Sequence, residues 1–333
     1  MTETDLIWLE PQSPKEIMEE LIDDYKIEKF YPLYSGGQDS GAVGLYCIEN
    51  YPEMIGSFVF TCTGIGSPMT RTFAVDYIEN QLGFNLDFTW ARKSYYDVVV
   101  KERHAFPSAG SHRIIMGYLK FHSWYYYMKP KLQRGEKAAF ISGVRKSESM
   151  VRNKKSFYTK KPIDINATLT FAKPYLWKNG SQIQELFIKN GGKKSKAYDY
   201  FNKSGECWCG CFYNDWELKM LEKYDPFLFQ TIRWLESQVQ KEIIQIKKEI
   251  IPLETIQKDK KPSIFNWDNS NQPTVNEKLT KLRKQLFDME THSKWGGSVG
   301  ADYSINQTTL DTFDDTVKVN EDYCGESCGV GDQ

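Results

Sequence analysis

Three groups of side chains in this 333-residue chain could do chemistry. The first lies in "LYSGGQDSGAVG", where Ser35, Gly36, Gly37, Gln38, Asp39 and Ser40 separate an aromatic-apolar run from small residues suited to a helix. Glycines there let the backbone turn sharply and bring its N–H groups close to an anion, and a serine hydroxyl and a helix N-terminus add donors. That demand fits a pyrophosphate group. The loop has no Lys-Ser/Thr after the glycines, so it is not a Walker loop, and it does not match the dinucleotide fingerprint. The second group is Arg145, Glu148 and Arg152 in "SGVRKSESMVR". Arginine offers a planar fork to phosphate or sulfate oxygens. The third group is the cysteines. "SGECWCGCFYN" sets Cys207, Cys209 and Cys211 on a turn, and "CGESC" adds Cys324 and Cys328.

The total of seven cysteines is odd, which argues against a disulfide framework and for redox or metal chemistry in the clustered five. A [4Fe-4S] cluster takes four thiolates and zinc also accepts four. Cysteines at every second position strain a metal shared by all three, so two of Cys207, Cys209 and Cys211 are expected to bind. A tail thiolate swinging into the site, as a mobile nucleophile or sulfur carrier, is a further reading of Cys324 and Cys328. Cys47 and Cys62 lie in apolar segments and read as small buried side chains.

These groups need a frame to bring them together. "SPKEIMEELIDDY" carries a helix start, with Ser13 as N-cap, Pro14 at the first position and Glu16 placed to bond back. After it, short apolar runs ("KFYPLY", "GSFVFT", "NLDFTWA", "KAAFISGV") alternate with helix-period segments, the longest being "HRIIMGYLKFHSWYYYMK". Strands alternating with helices imply an α/β fold with a doubly wound, mostly parallel sheet. "SGGQDS", "TGIGS" and "SGVRKSES" each follow a strand, so all three can face one crevice at the strand ends. Beyond about residue 165 the pattern turns helical. "QKDKKPSIFNWDNSNQPT" reads as a linker, and the helix near residues 227–250 as internal packing or a dimer face. The expected division is an N-terminal helix over 1–27, a nucleotide-binding domain with the cysteine turn over 28–225, a helical extension over 226–290 and a tail over 291–333.

A net charge of -1 gives no whole-molecule steering toward nucleic acid or anionic membrane. The basic-aromatic run "NKKSFYTKKP" could clamp a strand locally, though it reads equally as a solvated loop. With no signal-like segment and no run able to span a bilayer, the expected location is cytoplasmic, with no membrane partner.

"SGGQDS" resembles the SGGxDS loop of the PP-loop ATP pyrophosphatase superfamily, whose fold is the adenine nucleotide alpha-hydrolase-like one. "FVFTCTGIGSPMT", "FISGVRKSESMVR" and "KPYLWKNGSQIQELFIKNG…SGECWCGCFYNDWEL" continue the likeness in order over roughly residues 30–225. The branch resembled is that of the phosphoadenosine phosphosulfate reductases, which includes the DndC-type phosphorothioation sulfurtransferases. The resemblance implies that Ser35, Gly36, Gly37, Gln38, Asp39 and Ser40 hold nucleotide phosphates. Asp39 would act through magnesium or by fixing the loop. Thr63 and Gly64 would lie near the adenosine, Arg145 on a phosphate or sulfate, Glu148 against that arginine, and Arg152 as a second cation. It implies ATP with magnesium, and a [4Fe-4S] cluster or zinc on Cys207, Cys209, Cys211, Cys324 and Cys328. Two activities are implied: adenylation of an acceptor followed by sulfur transfer, or reduction of adenylyl sulfate or its 3'-phosphate. The partners would be an adenine nucleotide, sulfide or a sulfur-donor protein, a nucleic-acid or other acceptor, and a second copy or further subunits. Asp39, Arg145, Cys324 and Cys328 would carry the catalysis. His112 lies where relatives have polar substrate contacts, and no catalytic histidine is assigned.

Overall fold

A computed structural model describes residues 12–108, 111–148, 161–166, 169–211, 215–259 and 275–293. Helix α1 (Pro14–Asp23) starts as its sequence dictates. Ser13 Oγ accepts from Glu16 N at 3.2 Å, and the Glu16 carboxylate accepts from Ser13 N at 2.6 Å. The backbone N–H of Ser13, and next its side chain, hold the Glu16 carboxyl below its ordinary range. The helix buries Ile17, Met18 and Leu21 against the sheet.

Strands β1 (Lys29–Pro32), β4 (Ala138–Ile141) and β6 (Leu169–Ala172) pair in parallel in that spatial order, and β5 (Ile163–Asn166) closes the edge antiparallel to β6. Strands β2 (Phe58–Cys62) and β3 (Leu86–Trp90) form a second parallel ladder. The two ladders meet at parallel bridges, Phe30 with Ile55 and Leu33 with Val59, sealed by Tyr34 N donating to Val59 O at 2.9 Å. The spatial order is therefore β3-β2-β1-β4-β6-β5. Successive strands run outward from β1 in one direction and then in the other. That reversal makes the carboxyl ends of β1 and β4 the switch point where a ligand crevice forms.

Helix α2 (Gln38–Asn50) follows β1, α3 (Pro68–Val75) follows β2, and α4 (His112–Met116) and α5 (His122–Gln133) lead into β4. Completely buried strands account for the apolar runs: every residue of β2 and β4 is buried. The expectation that the chain turns helical beyond about residue 165 needs correction at its start, because the antiparallel strands β5 and β6 occupy Ile163–Asn166 and Leu169–Ala172. Four-residue strands carry too short a pattern to show on their own, and β6 takes its register from β4. After β6 come α6 (Gly180–Lys189), α7 (Ala197–Phe201), α8 (Asp215–Tyr224), α9 (Pro226–Asp259) and α10 (Val275–Thr291). Ile232, Leu235, Val239, Ile243 and Ile246 of α9 are buried in one core with Val98, Phe106, Ile115 and Trp208, so the long helix packs within the molecule and backs the cysteine turn. No helix among the described residues is long and apolar enough to cross a membrane.

Candidate active site

The glycine-rich loop is closed by its own hydroxyls. Ser35 N donates to Ser40 Oγ at 3.1 Å, the two serine Oγ atoms lie 3.0 Å apart, and Ser40 Oγ donates to Gly37 O at 3.1 Å. Gly36 sits at φ +71°, a conformation that favours glycine. Gly37 caps α2 with extended backbone and no side-chain cap, which leaves the first amides of the helix pointing out of the loop. Gln38 N donates to Tyr198 Oη at 3.2 Å, so a hydroxyl from α7 occupies one of these amides.

Arg145, just past β4, reaches across the switch point to this loop. Its Nε donates to Asp39 Oδ1 at 2.7 Å, its Nη2 to Oδ2 at 3.3 Å, and its Nη1 to Ser147 Oγ at 3.2 Å. The approach is close: a Cβ on Gly143 would fall 2.6 Å from the carbonyl carbon and oxygen of Asp39. Glu148 ends the short turn Lys146–Glu148, but its side chain, like Arg152, lies outside the described residues.

A cavity of about 370 Å³ opens between these elements. Its lining includes Ser35, Asp39, Ser142 and Gly143 beside the loop, Thr61 and Trp124, and Lys120, Glu206, Cys207, Cys209 and His112. Trp124 Nε1 donates to Thr61 Oγ1 at 2.7 Å. Lys120 Nζ meets Glu206 Oε2 at 2.6 Å. Burial pulls the Lys120 ammonium down, but Glu206 and the neighbouring thiols outweigh it and raise its pKa. Thr63, expected near the adenosine, is buried and donates to Glu206 O at 3.3 Å; Thr61 rather than Thr63 or Gly64 lines the cavity.

The cysteine turn is held from behind. Trp208 is fully buried, its N donates to Ile65 O at 2.7 Å, and Tyr95 Oη donates to Cys209 O at 2.6 Å. Gly210, at φ +84°, reverses the chain between Cys209 and Cys211. The ligand atoms of Cys209, Cys211 and His112 lie within 4.8 Å of one another. Cys207 instead lines the cavity beside Lys120. A hydrogen bond with Cys209 and burial raise Cys207 well above the ordinary range. Cys207 lowers Cys209, but Cys211 and burial push it up to about 12. Cys324 and Cys328 lie outside the described residues.

Sequence reasoning missed His112 as a partner of the cysteines, Lys120 with Glu206, and Tyr198. No spacing links them to the motifs, because folding alone brings them there. The group His112, Cys209 and Cys211 could bind a metal. The cluster implied by resemblance draws also on Cys324 and Cys328, outside the described residues; among the described donors, two sulfurs and an imidazole converge.

No protein-family model matches the chain, and no curated protein matches it. Among solved structures it is similar to a phosphoadenylyl-sulfate (PAPS) reductase from Candida auris in a phosphate complex, at 15% identity and TM-score 0.39, covering 56% of this chain and 84% of that one. It is also similar to an FMN adenylyltransferase from Candida glabrata, at 14% identity and TM-score 0.36, covering 59% and 63%. A third similarity is to an NH3-dependent NAD synthetase from Campylobacter jejuni, at 18% identity and TM-score 0.35, covering 77% and 100%. The chain itself is an α/β protein with a mostly parallel sheet, as its strand order and crossovers define.

Proposed function

We propose that this chain is a PP-loop enzyme that activates an acceptor with ATP for sulfur transfer. One observation carries the reading: a single cavity is lined both by the glycine-rich loop, through Ser35 and Asp39, and by the thiols of Cys207 and Cys209. Phosphate activation and sulfur chemistry therefore share one volume.

In this reading the open amides at the start of α2 and the Ser35 hydroxyl bind the β and γ phosphates, where the helix dipole favours negative charge. An acceptor oxygen attacks the α phosphorus, and the bond from that phosphorus to the bridging oxygen breaks, releasing pyrophosphate. Loop donors stabilise the charge that builds on this leaving group. Sulfide then attacks the adenylated carbon or phosphorus, and the new bond to sulfur forms as the bond to the AMP oxygen breaks and AMP leaves. Lys120, ion-paired to Glu206, supplies a buried positive charge beside the sulfur. Both oxygens of Asp39 are engaged by Arg145, which supports a loop-fixing role for this carboxylate. Magnesium would enter with the triphosphate and neutralise its oxygens.

Equilibrium binding of ATP, adenylyl sulfate and its 3'-phospho form to anaerobically purified protein, with magnesium, tests the reading. Tighter binding of ATP is expected. If a sulfonucleotide binds more tightly, sulfonucleotide reduction replaces ATP-dependent sulfur transfer as the activity.

A further inference from the structure

We propose that His112, Cys209 and Cys211 form a mononuclear site for a divalent ion of the zinc class, with its fourth position open to the cavity. The proposal is independent of the nucleotide reading, because it concerns which atoms converge and not what the loop binds.

Spacing separates this site from an iron-sulfur cluster. Around a single tetrahedral ion with metal–sulfur bonds of ~2.3 Å, ligand atoms sit about 3.3–3.8 Å apart. In a cubane each cysteine binds a different iron, so its sulfurs stand further from one another. The three ligand atoms here all fall within 4.8 Å, a separation that small side-chain rotations close onto one ion. A histidine in the set also fits a zinc-class site, where imidazole and thiolate commonly mix.

The surroundings suit two thiolates on a cation. Cys209 and Cys211 are buried and His112 is partly so, which gives a sheltered donor set. Gly210 takes a positive φ between the two cysteines, and Trp208 N donating to Ile65 O and Tyr95 Oη donating to Cys209 O fix the backbone at Cys209. Arg103 is close enough to Cys211 for their charges to interact, and its buried Nε has no hydrogen-bond partner among the described residues. A thiolate at Cys211 would give that cation an opposite charge. His112 and Cys209 line the cavity whereas Cys211 does not, so the free side of the ion faces the substrate volume. Cys207 lies outside the converging group.

The test is metal analysis of protein purified anaerobically without added metal, followed by removal of the metal and titration with cobalt(II). A single zinc-class ion per chain is expected, with little iron and no acid-labile sulfide. Cobalt should give thiolate charge-transfer absorption and tetrahedral bands that saturate at one equivalent. Added sulfide should shift those bands, as a ligand entering the open position must. Cys209→Ser and Cys211→Ser should lose the charge-transfer intensity stepwise, His112→Cys should retain the ion, and Cys207→Ser should leave stoichiometry and spectrum unchanged. If Cys209→Ser or Cys211→Ser fails to fold, the His112→Cys and Cys207→Ser results still decide. Iron and sulfide in cluster proportions, loss of metal in Cys207→Ser, or cobalt spectra without thiolate absorption would each overturn the proposal.

Discussion

The guanidinium of Arg145 grips both carboxylate oxygens of Asp39, at 2.7 and 3.3 Å, across 106 positions of chain. The pair ties the end of β4 to the first turn of α2, and its fork geometry is one that lysine cannot reproduce. Arg145→Lys is expected to weaken ATP binding at least about tenfold, equivalent to ~1.4 kcal/mol. The cost to stability should be only about 1 kcal/mol, since the pair is partly exposed. Calorimetric titration beside thermal unfolding separates the two effects; equal binding by the variant would remove Arg145 from the site.

Tyr198 occupies the amide of Gln38, one of the donors that the proposed phosphate site would use. Tyr198→Phe removes a competitor for that amide. Tighter ATP binding, by a few-fold, is expected together with a stability loss of about 1 kcal/mol from the missing hydrogen bond. Weaker binding would mean that the hydroxyl contacts the nucleotide instead of yielding to it.

Gly143 has no room for a side chain, since a Cβ would meet the Asp39 backbone at 2.6 Å and Ser40 N at 2.8 Å. Backbone cannot step aside as a flexible side chain can. Gly143→Ala should cost about 1–3 kcal/mol in denaturant unfolding and depress nucleotide binding with it.

Cys47 is fully buried on α2, and burial pushes its thiol up to about 12. Folding thus favours the protonated thiol. The resulting stability is complete below the unfolded value near 9 and is lost as pH rises through the folded value. Urea unfolding between about pH 8 and about pH 10.5 should show wild type losing up to ~2 kcal/mol more than Cys47→Ala. Parallel pH profiles would refute this. At neutral pH the thiol should react with a disulfide reagent only after unfolding.

What could be read from the sequence was local. The capping box of α1 needs only Ser13, Pro14 and Glu16, and both of its hydrogen bonds are present. The turn at Ser35–Ser40 was likewise visible, because two glycines between strand and helix demand a tight turn, and Gly36 takes a positive φ there. The strand pair of β5 and β6 was not, since its register comes from β4. Nor was the convergence of His112 with Cys209 and Cys211, which depends on α4 and the cysteine turn meeting over a shared core.

The segment after β2 is stitched to the approach of the cysteine turn. Ser67 N donates to Gly205 O at 2.8 Å, Trp208 N to Ile65 O at 2.7 Å, and the Thr70 hydroxyl bonds Ser204 O. Since β2 is also bridged to the chain just before the phosphate loop, the thiols inherit their position from the sheet. Tyr95 adds a third hold, from its hydroxyl to Cys209 O, so a substitution at Ser67, Thr70 or Tyr95 would shift the sulfurs relative to the glycine-rich loop without touching either group.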